Sequence, residues 1–243
     1  MVLIGSLNLN KSIVASISEN PVESGFKAKQ LGAELLELRI DLLDADPRRI
    51  LRDLMETGLP VIITNRMKQE GGAWSGTEHD RIRTLISLLD LADAVDIELR
   101  AGMRDAVVNQ ARIAGKTVII STHDFQRTPA DDVMMKLIRE SFDAGADIAK
   151  LAVMPGSLED VLRLLDVTLH AGEPVCTIAM GETGRHFRFI APVYGSVMTY
   201  GYVDNAVAPG QIRVDELRLV LKMLHFIPAQ NASHSNPQFS GSS

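Results

Sequence analysis

Residues 130–172 read ADDVMMKLIRESFDAGADIAKLAVMPGSLEDVLRLLDVTLHAG. Two segments in this stretch have helical period, ADDVMMKLIRESFDAG and GSLEDVLRLLDVTLHAG. Between them lies DIAKLAV, the kind of short apolar run that a strand covered on both faces shows. The first helix opens on Asp131 and Asp132, and both helices close on glycine, as capping rules require. The same alternation fills the rest of the chain. Further strand candidates are SIVASIS (12–18), ELLELRI (34–40), PVIITNR (60–66), AVDIEL (94–99), TVIIST (117–122), PVCTIAM (174–180) and GSVMTYG (195–201). Eight such βα units in 243 residues predict an α/β fold, a single (β/α)8 TIM barrel, whose usual length is about 250 residues. A doubly wound sheet would carry a glycine-rich phosphate turn after its first strand, and none follows here.

No linker or composition break occurs before residue 226. Residues 1–227 therefore read as one catalytic barrel, and the polar, small-residue stretch 228–243 as a disordered tail. A formal net charge of -6 argues against nucleic acid and anionic membrane as partners, since both select basic surfaces. Cys176 is the single cysteine, which leaves no disulfide framework and no cysteine-based metal site. Glu182 and His186 are four residues apart but lack a third ligand, so no metal is expected. The N-terminus MVLIGSLNLNK has no basic n-region, and no apolar segment approaches the roughly 20 residues of a membrane helix. The expectation is a soluble, cytoplasmic protein that acts on a small molecule.

Barrel enzymes gather their chemistry at the C-terminal ends of the strands. Strand two ends LELRID, so Glu37, Arg39 and Asp41 share the face that points into the barrel, while Leu38 and Ile40 pack outward. Strand three ends in Arg66, strand five runs into His123, and Arg188 follows strand seven. After strand eight comes APGQIRVDEL, in which Pro209 and Gly210 are expected to precede the first turn of a helix. GGAWSG (71–76) lacks the lysine of a P-loop and reads as a mobile loop after strand three. Lys150, inside DIAKLAV, is the residue that packing alone does not explain, because a lysine is rarely buried without a partner or a task.

A lysine buried beside Arg39, Arg66 and Arg188 is expected to have its pKa pushed down by desolvation and like charge. A neutral amine attacks a ketone or aldehyde, and the resulting iminium acidifies the neighbouring carbon. His123 is the expected base, with Glu70 as the carboxylate that orients its ring. Arg188 and a helix N-terminus at Gly210–Gln211 form the expected anion site. Residue chemistry stops at a Schiff-base lyase, with the choice between C–C and C–O cleavage open.

ELRID, PVIITNR, VIISTHDF, DIAKLAVMP and APGQI occur in the order and spacing of type I 3-dehydroquinate dehydratases, and the resemblance runs from about residue 11 to 225. It implies a homodimeric barrel that works without metal or cofactor, converting 3-dehydroquinate to 3-dehydroshikimate and water in the shikimate pathway. By that resemblance Lys150 forms an imine with the C3 ketone, and His123, held by Glu70, moves protons in a syn elimination. Glu37 and Arg66 meet ring hydroxyls, and Arg188 and Gln211 hold the carboxylate. Ser16, Arg39 and Met180 line the pocket. One departure is Val207, where the family commonly has serine before APGQ, so weaker carboxylate binding is expected. Two alternatives use the same barrel: a class I aldolase of a phosphorylated sugar, and a non-enzymatic quinate sensor.

Overall fold

The computed structural model describes residues 2–206 and 208–224. The expected tail at 228–243, the boundary at 227 and Val207 lie outside the described residues. Eight parallel strands run β1 (Ser12–Ile17), β2 (Leu35–Arg39), β3 (Val61–Thr64), β4 (Ala94–Glu98), β5 (Thr117–Asp124), β6 (Ile148–Val153), β7 (Val175–Ala179) and β8 (Met198–Tyr202). From β1 to β7 each pairs with the next, and β8 pairs with β1. The ring closes between β7 and β8, where Val175 bridges Ser196 and Val197 N–H donates to the Val175 carbonyl at 2.8 Å. The chain is a TIM barrel, as the alternation predicts.

Helices α1 (Pro21–Leu31), α2 (Pro47–Met55), α3 (Glu78–Leu88), α4 (Arg104–Ile113), α5 (Asp131–Asp143), α6 (Leu158–His170), α7 (Phe187–Ile190) and α8 (Val214–Met223) follow the strands. Their starts are written locally. Asp46, Thr77 and Ser157 accept backbone N–H bonds at the caps of α2, α3 and α6, and Pro47 sets the first turn of α2. Gly145 and Gly172 leave α5 and α6 at φ +99 and +72, a conformation that costs a side chain its Cβ clearance.

Two apolar regions flank the sheet. Outward residues such as Leu36, Leu38, Ile63, Val95 and Ile97 pack under the helices. Inside, one residue from each strand forms the floor: Val14, Leu35, Ile62, Ala94, Ile119, Ile148, Cys176 and Met198. A short N-terminal hairpin (Leu3–Ile4, Leu7–Asn8) plugs this end, with Ile4 fully buried against the floor. Burying a side chain of this size contributes about 1.5–3 kcal/mol. The lower barrel is thus closed to water, and anything polar above it sits on a dry base.

Candidate active site

Inward residues recur every second position on a strand. One step above the apolar floor stand Ser16, Glu37, Thr64, Asp96, Ser121, Lys150, Ile178 and Tyr200, one from each strand and all buried. Seven of the eight are polar, so the interior changes from apolar to polar within a single layer. A further step up come Arg39, Arg66, Glu98, His123 and Met180.

Lys150 stands at the centre of this layer. Its Nζ lies 2.9 Å from Asp96 Oδ2 and 3.3 Å from Glu37 Oε1, and 4.1 Å from the centroid of the Tyr200 ring. Glu37 also accepts from the hydroxyls of Ser16 and Thr64, at 2.7 and 3.0 Å. Asp96 accepts from Ser121 at 2.6 Å and pairs with Arg66 Nη2 at 2.8 Å. Arg66 Nη1 reaches Glu98, whose second oxygen meets the buried Arg81 of α3 at 2.8 Å. Every charge in the network has a partner, the condition for keeping ions in a barrel core.

This geometry corrects the expected ionisation of Lys150. Burial does push its pKa down, but Asp96 and Glu37 outweigh it, and the pKa is raised above the ordinary lysine value. The arginines named from the sequence are the weaker influence because Asp96 is nearer. Without a ligand, Lys150 is an ammonium. Asp96 is held far below the usual carboxylate range: burial opposes this, but Arg66 and Lys150 prevail.

His123, at the upper end of β5, is fixed twice by one carboxylate. Glu70 Oε2 accepts the His123 backbone N–H at 2.9 Å and lies 2.9 Å from Nδ1. An oxygen already accepting one N–H takes the second as well, which puts the ring proton on Nδ1 and leaves a lone pair on Nε2. Burial, with Arg66 and Lys150 nearby, holds the imidazole pKa well below 6.5. Burial also raises Glu70 to about 7 against the pull of Arg66. Both shifts disfavour charge on the pair, and the result is a neutral imidazole at pH 7.

Arg39 forms a two-pronged pair with Asp41, at 3.0 and 2.7 Å. Asp41 also accepts the backbone N–H groups of Arg66 and Ala73, so it ties the GGAWSG loop to the barrel mouth. Gly72 is required in that loop, because a Cβ there would come within 1.9 Å of the Arg66 carbonyl oxygen.

Arg188 of α7 is 2% exposed, and among the described residues it pairs with no carboxylate. Its guanidinium donates to three backbone carbonyls, of Gly210 at 2.7 Å and of Tyr200 and Pro209 at 3.2 Å. Burial lowers its pKa to about 10. Gln211 stands beside it, with its side-chain oxygen accepting from Ala208 N–H at 3.2 Å. No helix begins at Gly210–Gln211, however. Ile212–Arg213 pairs as a short strand with β8, and α8 starts only at Val214. The expected helix-dipole contribution is therefore absent from this end, and the guanidinium is the main positive charge there.

The ten residues singled out in the sequence, Ser16, Glu37, Arg39, Arg66, Glu70, His123, Lys150, Met180, Arg188 and Gln211, all line one cavity of about 160 Å³. Sequence reading missed Asp96, Glu98, Thr64, Ser121 and Tyr200. AVDIEL carries Asp96 and Glu98 two apart, the same inward spacing that marked Glu37 and Arg39, so the signal was there.

The sequence model of the family described as type I 3-dehydroquinase matches residues 12–228. The chain belongs to the type I 3-dehydroquinase family. A 3-dehydroquinate dehydratase of Methanosarcina barkeri is 53% identical over 241 residues, covering 92% of this chain and 100% of that protein. Among solved structures, the 3-dehydroquinate dehydratase of Geobacillus kaustophilus superposes with a TM-score of 0.87 at 28% identity, over 92% of this chain and 96% of that one. The type I enzyme of Clostridium difficile, solved with covalent modified comenic acid, gives a TM-score of 0.86 at 28% identity, over 92% and 97%. Membership in the type I 3-dehydroquinase family makes the chain a hydro-lyase of the shikimate pathway.

Proposed function

We propose that this chain converts 3-dehydroquinate to 3-dehydroshikimate and water by syn elimination through an imine on Lys150. The observation that carries the reading is a buried lysine and a glutamate-held histidine on the wall of one cavity. Simple binding of a ligand needs neither group. The covalent modified comenic acid in the Clostridium difficile structure supports covalent chemistry in a relative.

Lys150 must first lose a proton. Glu37 Oε1, at 3.3 Å, is the acceptor. Burial opposes it, but the surrounding cations lower the pKa of both carboxylates. Asp96 is also paired directly with Arg66, while among the described residues Glu37 has no ion pair besides Lys150. Nζ then adds to the C3 carbonyl, and the carbinolamine takes back the proton held by Glu37 and loses one water to give the iminium. His123 Nε2 takes the C2 proton, and the electrons of that C–H bond move into the iminium to form an enamine. The enamine expels the C1 hydroxyl, which leaves as water with the proton that His123 returns. Because one imidazole serves both steps, the proton and the hydroxyl leave from the same face. Hydrolysis of the iminium consumes the first water, frees Lys150 and releases the enone.

Arg188 and Gln211 take the carboxylate, and the substrate anion supplies the negative charge that Arg188 lacks. Glu37 and Arg66 meet ring hydroxyls, while Ser16, Arg39 and Met180 complete the wall. The test is absorbance at the enone wavelength after adding 3-dehydroquinate, with Lys150→Ala as the control. A rise that requires Lys150 supports the reading, and a flat trace in the intact protein rejects it.

On the same footing we infer a cytoplasmic homodimer. No described helix is long and apolar enough to cross a membrane. Leu158, Leu162 and Leu169 share one exposed stripe of α6, an apolar surface of the kind that subunits cover. Light scattering on the eluting protein tests the assembly, and a monomer mass rejects it.

A further inference from the structure

Tyr200 of β8 serves in no step above, yet two observations set it apart. Its ring lies against the lysine, 4.1 Å from Nζ to the centroid. Its hydroxyl is buried and meets no hydrogen-bond partner among the described residues. Tyr200 also lines the cavity that holds Lys150, His123 and Arg188. Buried tyrosine hydroxyls usually find a partner, because an unmade hydrogen bond leaves the desolvation of the group uncompensated. An orphan hydroxyl on a residue of the cavity wall is a contact left for a ligand atom.

Its place in the fold says which part of the ligand. The backbone carbonyl of Tyr200 accepts from Arg188 Nη1 at 3.2 Å. One residue thus touches the nucleophile with its ring and the anion-binding guanidinium with its backbone. A ligand joined to Lys150 and held at Arg188 lies across it. We propose that the Tyr200 hydroxyl contacts the substrate, hydrogen-bonding an oxygen carried close to the ketone carbon, and so favours a hydroxylated ring over a plain keto acid. This rests on the reading of Lys150 as the imine-forming residue.

Burial, and then Glu37, push the phenol pKa well above its ordinary value, so the group keeps its proton and is able to donate. The ring has a separable effect, since an aromatic face attracts the Lys150 ammonium whether or not a hydroxyl is attached. Phenylalanine at this position keeps the second effect and removes the first.

The test is Tyr200→Phe, read in two backgrounds. In the intact enzyme, KM for 3-dehydroquinate should rise about tenfold, as loss of one hydrogen bond predicts. Borohydride should still trap one ligand per chain. In Lys150→Ala, which forms no imine, adding Tyr200→Phe should raise the calorimetric Kd for 3-dehydroquinate by a similar factor. The melting temperature of ligand-free Tyr200→Phe should match or exceed that of the parent, because no partner among the described residues is lost. An unchanged KM together with an unchanged Kd overturns the proposal, and so does a lower melting temperature. If borohydride traps nothing in the intact enzyme, the Lys150 reading fails, while the calorimetric comparison still decides the role of the hydroxyl.

Discussion

Asp96 Oδ2 lies 2.9 Å from Lys150 Nζ at the centre of the barrel, and neither side chain is more than 5% exposed. The pair fixes the resting state of the proposed nucleophile. It keeps Lys150 protonated at the cavity wall and makes deprotonation the first cost of the proposed imine chemistry. Asp96 is therefore a positioning residue for Lys150, although the two are 54 positions apart in the chain.

Replacing it should change the pH at which the amine reacts. In Asp96→Asn, burial and Arg66 would dominate, and the Lys150 pKa should fall. The acid limb of single-turnover borohydride trapping should then move to lower pH. The stability effect has the opposite sense. A raised lysine pKa stabilises the fold below the unfolded value of about 10.4, and the contribution fades as pH rises through the folded value. Asp96→Asn should therefore be less stable than its parent at pH 7. A trapping limb that stays in place or moves to higher pH would contradict the assignment.

For His123, proton transfer should stop while imine formation continues. His123→Ala should lower kcat by about 10²- to 10⁴-fold, the usual worth of a positioned acid–base group. Borohydride should still attach ligand to the protein. Near-normal turnover in this variant would mean that another group takes the proton.

Glu70 gives a stability test with a definite sign. Its folded pKa of about 7 lies above the unfolded value, because burial disfavours the carboxylate. Wild-type stability should thus decline as pH rises from about 4.3 toward 7 on account of this group. Glu70→Gln should lose that decline, be at least as stable as wild type at pH 8, and still turn over more slowly because the imidazole is less firmly held. Melting curves at pH 5 and pH 8 check it. A variant that is less stable than wild type at pH 8 would show that Glu70 is ionised and stabilising there.

A variant of Arg188 tests binding apart from chemistry. It lacks a carboxylate partner among the described residues, so its charge should be spent on the substrate anion. Arg188→Ala should raise KM by about 10- to 100-fold, in line with the loss of charge-assisted hydrogen bonds. A KM within twofold of wild type would move the carboxylate elsewhere.

Much of this was legible in the chain. The barrel follows from alternation and capping, which are local. Lys150 stood out because a cation in an apolar run has no packing explanation. Asp96 did not, because AVDIEL reads as an ordinary strand unless its inward positions are aligned with those of LELRI. The raised pKa of Lys150 was beyond reach without it, since the sign depends on a carboxylate whose proximity only closure of the barrel creates. The stretch after strand eight was misread for a different reason. Glycine and proline before a helical pattern mark a helix start, but edge pairing of Ile212–Arg213 with β8 postponed that start to Val214.

The central claim is that the Lys150 amine bonds covalently to the ketone. The direct measurement is the intact and peptide mass of the protein after treatment with borohydride in the presence of 3-dehydroquinate. One reduced ligand should appear, on the peptide containing AKLAV, with irreversible loss of activity, and borohydride alone should leave mass and activity unchanged. No added mass, or a ligand attached at Lys116 or Lys136 instead, would contradict it.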